Sequence, residues 1–182
     1  TILLELLAQD TNNSYIQKLL GKVFMSTKRY DLPLNNFEEY LKLNPDDEEA
    51  NFSLGYVYYN LNLPTAAKTS FEKVIQYNND NYKAFLYLGL VYMSLNDFKT
   101  ALGYLLEASN KGSSDAEVYN YLGLIYNKLG LMQDAIINFQ KSINLNDKYL
   151  DAHLNLANLF FTIRKFRDAE QEYRKVIEID KN

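Results

Sequence analysis

The stretch AEVYNYLGLIYNKLGLMQDAIINF, residues 116–139, decides the fold. Its large apolar residues recur at spacings of 3, 4 and 7, which is the period of a helix. Leu122-Gly123 nevertheless sits in the middle of it, where Gly costs about 1 kcal/mol relative to Ala. The pair is no accident: Leu20-Gly21, Leu54-Gly55, Leu88-Gly89 and Leu122-Gly123 recur at a constant period of 34, and Leu156-Ala157 continues the series with Ala in place of Gly.

Aligned on that pair, other columns repeat. An aromatic follows the small residue by three (Phe24, Tyr58, Tyr92, Tyr126, Phe160), and a small residue follows by twelve (Ala67, Ala101, Ala135, Ala169, with Pro33 in the first unit). A large residue follows by sixteen (Phe37, Phe71, Leu105, Phe139, Tyr173), and a bulky or polar one precedes by four (Gln17, Asn51, Phe85, Tyr119, His153). Each unit therefore holds two helical stretches. Asn44 to Glu49, Asn79 to Asn81, Ser113 to Asp115 and Asn146-Asp147 offer capping oxygens and first-turn acids before the first helix of a unit. Asn62-Leu63-Pro64, Asn96-Asp97, Leu129-Gly130 and Arg164-Lys165 mark the turn within it. The expected fold is all-α, with every unit a helical hairpin.

Composition agrees and narrows the function. With 47% hydrophobic and 14% aromatic residues in 182, the chain can bury a sizeable core. A net charge of −4 argues against a nucleic-acid surface, which needs a basic excess. The absence of cysteine removes disulfides, thiolate zinc sites and thiol nucleophiles. No apolar run approaches the roughly 18 residues of a spanning helix, so no direct membrane insertion is expected. His153 is the single histidine and sits in a packing column, so it reads as structural. No Gly-rich phosphate loop appears, and the acids Asp46 to Glu49 lack the alternation and central Gly of a calcium loop. No catalytic residue, cofactor or metal site is expected, and the chain reads as no enzyme. It begins in mid-pattern and without Met, and reads as a fragment, with the cytoplasm as the default setting.

The order bulky-x2-Leu-Gly-x2-Tyr followed by Ala-x3-Phe, at a period of 34, resembles the tetratricopeptide repeat. The units are 14–47, 48–81, 82–115, 116–149 and 150–182, and residues 1–13 match the second helix of a preceding repeat, with Leu3, Leu6 and Leu7 in its apolar columns. The resemblance implies a right-handed α-solenoid, a superhelix of antiparallel hairpins whose first helices line a concave groove. Pro33 departs from the pattern and predicts a second helix that starts late or bends in the first unit.

The same resemblance places function on the groove. The stripe opposite the packing columns contains Lys18 and Lys22, then Phe52, Tyr56 and Tyr59, then Lys83, Leu86, Leu90 and Met93, then Asn120, Leu124, Asn127 and Asn158. Two specialised grooves known in the family do not match: a carboxylate clamp keeps only its lysines here, and an inward asparagine ladder is replaced by Leu19, Ser53, Tyr87, Tyr121 and Asn155. What remains is an apolar, aromatic strip with a basic N-terminal end, fitting a protein-interaction scaffold that takes a peptide or helical segment of a partner. The alternatives are a self-associating assembly, in which the chain is an oligomer, and the targeting arm of a larger enzyme.

Overall fold

The computed structural model describes residues 13–26, 30, 33–112 and 114–181. Among them every regular element is an α-helix. The chain divides into two compact units, residues 1–95 and 96–182. The first contains α1 (Ser14–Ser26), α2 (Pro33–Leu43), α3 (Glu48–Asn60), α4 (Pro64–Tyr77) and α5 (Tyr82–Ser94). The second contains α6 (Phe98–Lys111), α7 (Ala116–Lys128), α8 (Met132–Leu145), α9 (Leu150–Thr162) and α10 (Phe166–Asp180). The boundary falls between α5 and α6, inside the unit read from the sequence as 82–115. The segment read as the end of a preceding repeat lies outside the described residues except for Asn13, whose Oδ1 accepts the Ile16 N–H at 3.2 Å.

In the first unit each helix packs on the next, from α1 to α5. A fully buried phenylalanine on each second helix makes the joint: Phe37 clusters with Ala50, Leu54 and Val57 of the following hairpin. The recurrent glycine explains how it fits. A Cβ at Gly21 would lie 2.7 Å from the Phe37 ring, and one at Gly55 would lie 2.8 Å from the Phe71 ring. The second unit repeats the device: a Cβ at Gly123 would lie 2.5 Å from Phe139, which packs with Leu156, Leu159 and Phe160 of α9.

The helix ends show where local chemistry varies. Asp47, Asn81 and Asp115 cap α3, α5 and α7, accepting from Ala50 N at 2.9 Å, Ala84 N at 3.1 Å and Glu117 N at 2.9 Å. The equivalent position before α9 is Tyr149, which has no capping side chain; Asn146 serves the loop instead, accepting from Lys148 N at 3.1 Å. Helix α2 is described from Pro33 on, and α4 carries Pro64 in its first turn, where a proline gives up no helical hydrogen bond. At the hairpin turns the backbone is left-handed at Asn62 (φ 57°), Asn96 (φ 60°), Gly130 (φ 77°) and Arg164 (φ 62°), so the turn conformation keeps the period of the sequence. Around three of them the same motif closes the helix: Leu63 N donates to Tyr58 O at 2.9 Å, Leu131 N to Tyr126 O at 2.9 Å, and Lys165 N to Phe160 O at 2.8 Å.

Candidate functional site

The residues that the sequence reading assigns to a groove lie, in the first unit, on α1, α3 and α5 and fall into three groups. The cations of α1 are engaged within the chain. Lys18 Nζ lies 2.7 Å from Asp47 Oδ2 and 3.1 Å from Glu49 Oε2, and Lys22 Nζ lies 2.5 Å from Glu49 Oε1. Asp47 also accepts the Tyr40 hydroxyl at 2.6 Å. Burial opposes ionisation of Asp47, but the bonds from Lys18, Tyr40 and the Ala50 N–H outweigh it and hold the carboxyl below its ordinary range. The Lys22 ammonium does the same for Glu49, against partial burial and with help from Lys18.

The aromatic group is organised by a residue outside the groove stripe. Tyr87 stacks on Phe71 (centroids 5.3 Å apart) and meets Phe52, Tyr56 and Tyr59 edge-on at 5.7, 5.4 and 5.7 Å. It sits one position after Leu86, in a column that the sequence presents only as a clamp or ladder position, and nothing in that column points to rings on α3 and α4. Tyr30 extends the cluster, 5.9 Å from Tyr56. Such edge-on pairs lock ring orientations and leave Phe52, Tyr56 and Tyr59 half-buried rather than free to reorient.

On α5 the predicted residues separate. Leu86 and Leu90 are interior, 1% and 4% exposed, because α5 is apolar around most of its circumference. Met93 is half-buried and Lys83 is exposed. Lys83 and Phe52 line a cavity of about 390 Å³ with Glu48, Glu49 and Asn81. Glu48 is held in place by the Asn78 and Asn81 amides, at 2.9 and 2.7 Å from Oε1. The cavity thus has an aromatic side, two carboxylates already engaged by the chain, and one exposed ammonium.

In the second unit the amides do different work. Asn120 is 3% exposed and accepts from Asn155 Nδ2 at 2.9 Å, so it ties α7 to α9. Leu124 packs against the core cluster. Asn127 and Asn158 are exposed, and Asn158 Oδ1 accepts the Tyr173 hydroxyl at 2.6 Å. His153 is 5% exposed: Nδ1 lies 2.6 Å from Glu172 Oε2 and Nε2 lies 3.0 Å from the Asp147 carbonyl. It binds α9 to α10 and to the loop before α9. Among the described residues no group of three or more His, Cys, Asp or Glu is placed to hold a metal ion, and no helix is long and apolar enough to cross a membrane.

Helical hairpins repeating at one period are also the mark of a known repeat family. Two descriptions of the tetratricopeptide repeat match, one over residues 48–81 and 150–182, the other over residues 88–149. The chain belongs to the tetratricopeptide repeat family. No curated protein matches it by sequence. Among solved structures it is similar to MamA of Desulfovibrio magneticus RS-1, with a TM-score of 0.81 and 21% identity over 92% of this chain and 95% of that one. It is also similar to YrrB, described as a TPR protein with an unusual peptide-binding site, with a TM-score of 0.72 and 21% identity over 100% of this chain and 94% of that one. A thermophilic TPR protein of Thermus thermophilus aligns with a TM-score of 0.77 and 24% identity over 91% of this chain and 90% of that one. At these identities the likeness is one of fold: an α-solenoid of antiparallel helical hairpins, the arrangement seen within each unit.

Proposed function

We propose that the chain is a non-catalytic protein-interaction scaffold, and that the first-helix face of its first unit takes a peptide or short helix from a partner protein. The observation that carries this is the cavity beside Phe52, where an apolar wall and the exposed Lys83 ammonium lie together. A partner segment places an apolar side chain against Phe52, Tyr56 and Tyr59, with a carboxylate towards Lys83. The fixed rings offer contact area at little entropic cost. Lys18 and Lys22 contribute indirectly, since their charge is already matched by Asp47 and Glu49. The structural relative described as peptide-binding adds support by fold alone.

The test is capture of partners by the wild type and by Lys83→Glu and Met93→Glu variants, each checked for an unchanged helical spectrum. Loss of a common partner in both supports the proposal. Undiminished capture by both variants moves the binding face elsewhere.

A further inference from the structure

The turn between α9 and α10 is built unlike its counterparts. Where the other hairpins place Asn62, Asn96 or Gly130 in left-handed backbone, this one places Arg164 at φ 62°. Asn and Gly enter that region at low cost, whereas a long side chain such as Arg is disfavoured there. The local fold would be better served by the residues used elsewhere, so the arginine calls for another explanation.

Its surroundings supply one. Phe161 and Phe166 flank the turn, 59% and 56% exposed, with ring centroids 5.6 Å apart. Lys165 and Arg167 are exposed beside them, with the Lys165 ammonium 5.8 Å from the Phe160 ring centroid. Among the described residues no ion pair includes Arg164, Lys165 or Arg167. Helices α7 and α9 lie in contact as the first helices of successive hairpins, so the α7–α8 turn falls on the same edge of the second unit. There Leu131 and Met132 are 46% and 41% exposed. The edge thus carries exposed apolar side chains beside three cations that form no ion pair among the described residues.

We propose that this edge of the second unit is an interaction surface in addition to the first-helix face of the first unit, and that its occupant is an acidic segment of a partner protein carrying large apolar side chains. Charge complementarity selects the acid, and the exposed phenylalanines select the apolar residues. A planar anionic bilayer fits less well, because Asp134 and Asp168 occupy the first turns of α8 and α10 behind the same two turns. A flat anionic surface meets these acids together with the cations, while a peptide can pass between them.

The experiment measures binding of a short fluorescein-labelled peptide of alternating Asp and Phe or Leu, and of a control in which Lys replaces each Asp. It uses the full chain, its Arg164→Gly, Lys165→Ser, Arg167→Ser triple variant, its Phe161→Ser, Phe166→Ser double variant and the groove variant Lys83→Glu. The expected result is binding of the acidic peptide alone, weakened about tenfold or more in both turn-edge variants, and weakened as much when Lys83→Glu is present in every protein compared, which removes any share bound at the first-helix face. Arg164→Gly relieves backbone strain, and thermal melts of each variant separate loss of binding from loss of fold. Equal binding of the two peptides, or equal binding by wild type and turn-edge variants, overturns the proposal. So does loss only in Lys83→Glu, which assigns the peptide to the first unit. Vesicles of phosphatidylglycerol that bind through the turn edge, with no binding of the acidic peptide, overturn it in favour of a membrane surface.

Discussion

Replacing Gly123 with Ala sets two effects of known size against each other. Alanine favours a helix interior by about 1 kcal/mol over glycine. Its Cβ, however, would lie 2.5 Å from Cδ1 and Cε1 of Phe139 and 2.9 Å from Cγ. Phe139 is fully buried among Ala135, Leu156, Leu159 and Phe160, so the ring can retreat only by displacing the α8–α9 joint. Overpacking of this kind costs roughly 1–3 kcal/mol, leaving a net loss of about 1 kcal/mol once the helical gain is subtracted. Gly103, in the middle of α6, is the internal control: it is exposed, and a Cβ there meets nothing within 4 Å. Gly103→Ala keeps the helical gain alone and is expected to stabilise by up to about 1 kcal/mol. Urea unfolding followed by far-ultraviolet circular dichroism compares the two, and the combined Gly123→Ala, Phe139→Leu variant tests the cause by shrinking the ring. If Gly123→Ala is as stabilising as Gly103→Ala, the glycine is no packing notch and the account of the hairpin joint fails.

Other outcomes follow from single contacts. Asp47→Asn keeps a capping oxygen but loses the charge that faces Lys18 and Tyr40, and is expected to cost about 2 kcal/mol at neutral pH. Because the folded carboxyl titrates below its unfolded value, that contribution is present above pH of about 4 and fades as the pH falls through the folded pKa; the gap between wild type and variant in urea melts should close in acid. Arg164→Asn, the residue used at two sister turns, should raise stability by about 0.5–1 kcal/mol in the same assay, and a loss would show that the arginine makes a stabilising contact. His153→Leu removes the partner of Glu172 and of the Asp147 carbonyl and should cost about 2 kcal/mol, with faster amide exchange in the loop before α9; an unchanged exchange pattern would deny it that anchoring role.

The fold was legible because period and packing coincide. A column of glycines at one fixed period has no reason to exist unless the same joint is built repeatedly, and the rings of Phe37, Phe71 and Phe139 over Gly21, Gly55 and Gly123 are that joint. The candidate site was legible only in outline. A helical stripe gives the direction in which a side chain leaves its own helix, but not what lies opposite. Lys18 and Lys22 point as a stripe requires, yet acids on the next hairpin take their charge. Leu86, Leu90 and Asn120 share the stripe too, yet neighbouring elements bury them. Tyr87 shows the converse: its importance comes from four rings in two other helices, a pattern no single column contains. The strained Arg164 was visible as a turn residue, but its left-handed backbone was not.

Polar side chains tie successive hairpins at more than one joint. Between the first and second, Asp47 alone receives Lys18, Tyr40 and a backbone N–H, while Tyr58 reaches Glu38 at 2.5 Å. Between the second and third, Glu48 collects both Asn78 and Asn81, and Tyr77 reaches Asp46 at 2.6 Å. Between the fourth and fifth, Asn155 donates to Asn120 at 2.9 Å, and the His153 imidazole reaches the Asp147 carbonyl of the loop before α9 at 3.0 Å. In a stack whose stability sums over neighbours, each such joint holds the hairpins on either side of it. Phe161 and Phe166 are therefore carried by a hairpin that its neighbour holds through both a shared apolar core and a side-chain bond.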